Sequence, residues 1–193
     1  MKVTRIYSRH EEEIDVRELN VGDTVQLPEF TVPETTVEGD RELHFEERIV
    51  KDTATVYNIK NGKIYLVFDH ALFTSAMDLN NATEWKKTQL RAYLRSAFKN
   101  AMRDVGVPVS KVSLLSKDEV FGEKALPFFK DGKNRIAFGD DESTTVWYWL
   151  KNTTFTAIFC LADGLGDADC YDVSSANNFV RPCFVVNTKQ QDN

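Results

Sequence analysis

The sequence predicts an α+β fold in which mixed antiparallel sheets carry one long and one short helix. Three observations predict it. "TATVYNIKNGKIYLVFDHALF" sets β-branched and aromatic residues on both sides of "KNGK", and Asn61-Gly62 tolerates the positive φ angles of a type I′ hairpin turn. "ATEWKKTQLRAYLRSAFKNAMRDVG" spaces Trp85, Leu90, Tyr93, Leu94, Ala97, Phe98 and Met102 at near-helical intervals, puts Lys and Arg on the opposite face and stops at Gly106. Ser116 ahead of Lys117, Asp118 and Glu119 supplies the N-cap and acidic first turn of a second, short helix.

The remaining elements follow in order. Residues 1–20 are charged, with Glu11, Glu12 and Glu13 in a row, and read as an N-terminal extension. "LNVGDTVQL" places Val21, Val25 and Leu27 around a Gly-Asp turn and enters the first strand of the domain. The acidic, Thr-rich run from Pro28 to Arg48 carries two prolines, which suits an edge strand or an extended loop. After the hairpin and the two helices, "LPFFKDGKNRIAF" predicts a loop and a strand leading into "WYWLKN". No repeat or low-complexity linker interrupts the chain, so residues 21–187 read as one domain and 188–193 as a polar tail.

Composition narrows the functional classes. At 193 residues and 42% hydrophobic, the chain can bury a substantial core. A net charge of -6 without a basic run argues against a nucleic-acid partner, because phosphate contact is dominated by Lys and Arg. No apolar run approaches the roughly 20 residues that span a bilayer, and the first residues lack the apolar core of a secretory signal. The expectation is no membrane insertion, with the protein in a phage virion or the cytoplasm unless exported by another route. Cys160, Cys170 and Cys183 leave an odd one out and show no CxxC spacing, so they read as reduced thiols, mostly packed.

Catalytic and metal signatures are weak. Asp163, Asp167, Asp169 and Asp172 suggest calcium by composition, but "DGLGDADCYD" matches no EF-hand spacing, and a solvated loop is the simpler account. His10, His44 and His70 fall in separate elements without a carboxylate or Cys companion at ligand spacing. No GxSxG, HExxH, Walker or Rossmann pattern is present, and neither Cys160 nor Cys170 has a local partner base. The reading is a protein that is not an enzyme and needs no cofactor. Trp147, Tyr148 and Trp149 could stack on sugar rings; strand alternation would send Trp147 and Trp149 to one face, so at least one of them belongs to the core.

"WKKTQLRAYLRSAF", "LLSKDEVFG", "KNRIAF", "WYWLKN", "FC" and "VRPCFVV", in this order, resemble the C-type-lectin-like domains found in gut bacteria and their phages, over most of the chain from about Val21 to Val186. Within that group the chain resembles the variable proteins of diversity-generating retroelements. The resemblance implies a C-type-lectin-like fold, related to that of formylglycine-generating enzymes, with a variable region at residues 152–180. It implies that the strands around Trp147–Leu150 and Val180–Val186 are a constant frame, with Phe159, Cys160, Ala168 and Arg181 as framework. The ligand-facing positions it implies are Thr153, Thr154, Phe155, Ala157, Ile158, Leu161, Asp163, Leu165, Asp167, Asp169, Tyr171, Asp172, Ser174, Ser175, Asn177 and Asn178. Phe179 stands where the family pattern has Gly, so either the register slips or the strand starts without its usual turn. A protein or glycan ligand, recognised chiefly through Tyr171 and Phe155, and a homo-oligomer of unspecified symmetry complete what the resemblance implies.

A second observation bears on the variable region. Lys, Glu, Gln, Met and Trp make up about a fifth of the chain but are absent from Asn152 to Val180. Retroelements of this kind randomise adenines in AAC and AAT codons, and changing the first two bases while keeping a pyrimidine third never encodes those five residues. Gly, Asn, Asp and Ser also suit turns for ordinary reasons, so loop chemistry alone remains the alternative. The resemblance leaves two other functions open: a metal-dependent oxidase using a cysteine pair, whose expected spacing this chain does not match, and a calcium-dependent sugar lectin, whose Glu-Pro-Asn and Trp-Asn-Asp motifs are absent.

Overall fold

The computed structural model describes residues 2–7, 10–139 and 143–188. The fold is mixed α+β, mostly antiparallel sheet with few helices. β1 (Lys2–Tyr7) and β2 (His10–Asp15) form a hairpin, and β1 pairs on its other edge with β3 (Thr24–Gln26), Arg5 opposite Val25. The residues expected as an N-terminal extension therefore contribute two strands to the main sheet, and Ile14, Val16 and Leu19 enter the core. β4 (Phe30–Val32), β5 (Thr35–Val37), β6 (Leu43–Phe45) and β7 (Arg48–Val50) make two nested ribbons, β4 on β7 and β5 on β6, from the run that reads as an edge strand or loop.

The hairpin of β8 (Thr53–Lys60) and β9 (Lys63–Phe68) turns through Asn61 and Gly62, with φ of 53° and 68°. Both central residues thus adopt the left-handed conformation that a type I′ turn demands. β10 (Phe73–Thr74) and a 3-10 turn at Trp85–Lys87 lead to a continuous helix over residues 89–104. Thr88 caps its start by accepting from the Arg91 N–H. Leu90, Tyr93, Leu94, Phe98 and Met102 are fully buried along one face. The turn at Leu94–Phe98 widens to a π-helix, a local change that the spacing of apolar residues does not reveal.

β11 (Val109–Ser113) follows, a strand for which the sequence alone gives no expectation, because its five residues carry only two apolar side chains. The short helix Lys117–Val120 has a full capping box: the Ser116 hydroxyl accepts from the Glu119 N–H, and Glu119 accepts from the Ser116 N–H. "LPFF", expected as loop, forms a one-turn helix at Pro127–Lys130, with Pro127 in the first turn where its missing N–H costs nothing. The chain ends in β12 (Ala137–Phe138), β13 (Thr145–Val146), β14 (Tyr148–Phe155), β15 (Ile158–Ala162), β16 (Ala168–Asp172), β17 (Phe179–Val180) and β18 (Cys183–Asn187). Of the polar tail expected at 188–193, only Thr188 lies within the described residues.

Two sheets dominate. The larger runs β11-β18-β9-β8-β3-β1-β2, and the smaller β10-β17-β14-β15-β16, with β14 and β17 parallel and the other pairs antiparallel. Successive side chains of a strand point to opposite faces, so the central strands divide their residues between two apolar clusters. Val56, Leu66, Phe68, Phe184, Trp149, Phe159 and Leu161 pack with the long helix. Tyr57, Val67, Cys183, Tyr148, Leu150, Cys160 and Ala162 pack with Val120 and Phe129 of the short helices. Each fully buried Leu, Phe or Val contributes roughly 1.5–3 kcal/mol, and here both faces of β14 and β15 supply it.

Candidate functional site

Residues 152–180 are carried by β14, β15 and β16 as two successive hairpins, with a connection to β17. The segment is therefore mostly regular sheet, not the irregular loop its turn-forming residues suggest. Asn152 accepts from the Lys117 N–H at 2.7 Å and so ties the start of the segment to the short helix. Thr153, Thr154 and Phe155 then emerge from the core, and Phe155 is 74% exposed. The turn at Thr156-Ala157 holds Ala157 at φ 59°, a left-handed conformation that strains any residue with a Cβ.

The second hairpin turns at residues 163–167. Asp163 organises it: its side chain accepts from the Leu165 and Asp167 N–H groups at 2.9 and 2.8 Å, and its own N–H donates to the Asp167 carbonyl. Gly166 sits at φ +82° with the Gly132 carbonyl 3.1 Å from where a Cβ would be, so conformation and space both require glycine. Asp172 is likewise engaged, accepting from the Ser174 N–H and hydroxyl, which holds its carboxyl below the usual range. Asp169 accepts from the N–H of Cys170 at 2.8 Å. Of the four aspartates placed among the ligand-facing positions, Asp163 and Asp172 thus serve local turns. Among the described residues no three His, Cys, Asp or Glu side chains are grouped to hold a metal ion.

Most of the expected display positions reach solvent. Thr153, Thr154, Phe155, Leu165, Asp167, Asp169, Tyr171, Asp172, Ser174 and Asn177 are exposed, and Ala157, Ile158, Asp163 and Ser175 are half-buried. Two positions depart from the expectation. Leu161 is 0% exposed because its place in β15 points it into the core beside Trp149, its cross-strand partner. Asn178 is 5% exposed, its carbonyl accepting from the Ser75 N–H and its amide nitrogen lacking any partner. Among the framework residues, Phe159 and Cys160 are buried, whereas Ala168 is exposed on the edge strand β16.

Arg181 is a buried cation held by backbone carbonyls: its Nε donates to Phe68 at 2.8 Å and one terminal nitrogen reaches Asn134 and Ile136 at 3.4 and 3.3 Å. It lies over the Tyr148 ring, whose hydroxyl donates to the Arg135 carbonyl at 2.7 Å. Phe179 is extended, opposite Tyr148 on one side and Thr74 on the other, so the strand begins without a glycine turn. The three cysteines are free. Cys160 and Cys183 are buried, and burial pushes the Cys183 thiol up to about 11, whereas Cys170 is exposed opposite Cys160.

Of Trp147 and Trp149, one belongs to the core as strand alternation leads one to expect, and the other does not. Trp149 is fully buried and donates its indole N–H to the Ser75 carbonyl at 2.8 Å. Trp147 precedes β14, escapes its alternation and is 43% exposed. Its ring meets Tyr171, 47% exposed, in a T-shaped pair with centroids 6.4 Å apart and planes at 77°. The two rings wall a cleft of about 380 Å³ with Ser175, Asn177, Asn178 and Phe179. Contact between Trp147 and Tyr171 joins the link before β14 to the edge strand β16, and no sequence pattern connects two residues 24 apart in this way.

A larger cleft, about 550 Å³, contains no residue of the segment. It includes His70, whose Nδ1 is 2.6 Å from the carboxylate of Asp52, an acid buried among the Thr53 and His70 N–H groups. Burial pushes the Asp52 carboxyl up against the opposing pull of His70. His70 therefore has the carboxylate companion that sequence spacing did not show. His44 also faces a carboxylate, Glu34, at 3.4 Å, and the His10 side chain lies outside the described residues. No family model, curated protein or solved structure matches the chain.

Proposed function

We propose that this chain is a ligand-binding protein with a C-type-lectin-like scaffold, whose segment 152–180 is diversified by a retroelement for recognition of a protein or glycan target on a phage or bacterial surface. The observation that carries the reading is the contrast within one sheet. β14 and β15 are buried on both faces at Tyr148–Leu150 and Phe159–Ala162, while the end of β14, the turn before β16, β16 itself and the connection to β17 leave ten of the sixteen expected positions exposed. A rigid scaffold with changeable exposed positions is the physical requirement for varied binding. The absence of Lys, Glu, Gln, Met and Trp from the segment supports the same reading through the genetic code.

The test is deep sequencing of the gene and its flanks in the population that carries it. The expected result is substitution concentrated in AAC and AAT codons between residues 152 and 180, beside a reverse transcriptase and a template repeat. Uniform variation along the gene, with no such neighbour, would overturn the reading and leave turn chemistry as the reason for the missing residue types.

A further inference from the structure

We infer that the cleft between Trp147 and Tyr171 is a binding site for a neutral pyranose, free or borne on a glycan, and that it takes this sugar without a metal ion. The inference rests on the reading of residues 152–180 as the ligand-facing segment and narrows its ligand to one class. The cleft, about 380 Å³, lies at the small end of the roughly 300–1,000 Å³ typical of small-molecule sites, so it suits one or two rings and not a folded epitope. Trp147 and Tyr171 are both close to half exposed and nearly perpendicular, forming a corner of two aromatic surfaces. The apolar C–H face of a pyranose stacks on such a surface, and its rim of hydroxyls must then meet polar groups.

Those groups are present. The Ser175 hydroxyl and the Asn177 side chain line the cleft without a hydrogen bond to any described residue. Asn178, nine-tenths buried at the same cleft, has an amide nitrogen with no acceptor, an omission that native folds rarely tolerate. The amide torsion of Asn is broad, so a small rotation offers that N–H to a ligand oxygen. Charge selects among sugars. Asp169 shares a strand face with Tyr171, two residues along β16 and beyond the cleft's own lining, with no cation among the lining residues, so a carboxylate-bearing sugar is disfavoured by a neighbouring negative charge while a neutral one is not. Neutral hexoses and their N-acetyl derivatives fit this arrangement, and uronic and sialic acids do not.

One wall belongs to the frame and the other to the segment. Trp147 precedes residue 152, whereas Tyr171, Ser175 and Asn177 follow it. The Trp147 half of the stacking corner is thereby held constant while Tyr171 and the hydroxyl-reading residues change, which varies the sugar recognised around one fixed aromatic surface.

The experiment titrates the full chain, in the presence of a chelator, with a panel of neutral hexoses, N-acetylhexosamines and uronic acids, read by ligand-observed NMR and calorimetry. The expected result is saturable binding of at least one neutral sugar, of the order of millimolar, and none of the uronic acids. Trp147→Ala weakens it about tenfold or more, the equivalent of one lost stacking contact. Tyr171→Ala, on an exposed edge strand where folding is not at issue, weakens it as well. Absence of binding by every neutral sugar, or unchanged affinity in both variants, overturns the inference, and loss of binding on adding chelator overturns its metal independence. Capture of a deglycosylated protein through this face, with no sugar bound, also overturns it but leaves the ligand-facing segment standing. Sugar binding in a gene population without localised variation has the opposite meaning: the cleft stands and the diversification reading falls.

Discussion

Leu161 and Leu165 lie four residues apart in the same segment, and both are expected ligand-facing positions, yet the structure gives them opposite fates. Leu161 is fully buried opposite Trp149 in the cluster that also holds Phe159, and Leu165 is 80% exposed at a hairpin turn. Truncating Leu161 to Ala removes buried methyl groups from a close-packed cluster and leaves a cavity, which costs about 2–5 kcal/mol. Taking about 3.5 kcal/mol as the centre of that range, a chain of this length melts roughly 7–14 °C lower. Leu165→Ala changes surface only and falls within about 0.5 kcal/mol of the parent. The assay is urea unfolding followed by tryptophan fluorescence, for which buried Trp149 is a suitable reporter. Equal costs at the two positions would refute the division of the segment into frame and display. A polar residue at 161 would fare worse than Ala, because a buried amide or hydroxyl adds its own desolvation, so a diversified gene should spare this codon.

Two further perturbations test local features. Ala157→Gly relieves a left-handed backbone and should stabilise the protein by about 1 kcal/mol in urea melts, the gain in conformational ease exceeding the added entropy of the unfolded chain; a lower midpoint would contradict the assigned turn. Glu119→Gln tests the charge at the short helix. Burial pushes the Glu119 carboxyl up, but Lys151, with its ammonium 3.0 Å away, and the Ser116 donors outweigh it, and the net shift is downward. A depressed carboxyl stabilises the fold above its unfolded value, near 4.5, and loses that contribution as pH falls through the lower folded value. The variant should therefore be about 1–2 kcal/mol less stable at neutral pH and converge on the parent in acid, as measured by urea midpoints across that range. A gap that persists unchanged into acid would show that shape, not charge, sets the role of Glu119.

What was legible in the sequence was what neighbours in the chain decide. Asn61-Gly62 dictates its turn by local backbone preference, and the long helix declares itself by contacts three and four residues apart. Ser116 and Glu119 announce their capping box in the same way. The π-helical turn at Leu94–Phe98, by contrast, has no counterpart in the spacing of apolar residues. β2 was hidden because its sequence is acidic, and the pairing of its carboxylates with the basic residues of β1, Arg5 with Glu12 and Lys2 with Glu13, is a tertiary fact. His70 meets Asp52 across 18 residues for the same reason. Leu161 did have a signal: Phe159, Cys160, Leu161 and Ala162 form an unbroken apolar run, the mark of a strand buried on both faces. Reading the segment as loop concealed it.

The position of β16 makes the proposed division of labour physically coherent and also limits it. As the outermost strand of the smaller sheet, it pairs on one side only, with β15, and every one of its residues is exposed. Substitution there disturbs a single ladder and no core, which favours tolerance. An unpaired edge is also a template for pairing with another chain. This sequence counters that hazard with charge at Asp169 and Asp172, and with the Asp169 side chain occupying the Cys170 N–H. Tolerance to change and resistance to association thus place opposite demands on the same five residues. The first permits almost any side chain; the second keeps some carboxylates or prolines among them. A binder built this way cannot become wholly apolar along β16, whatever its target, so its hydrophobic contacts must concentrate where Trp147 and Tyr171 already form a wall against the frame.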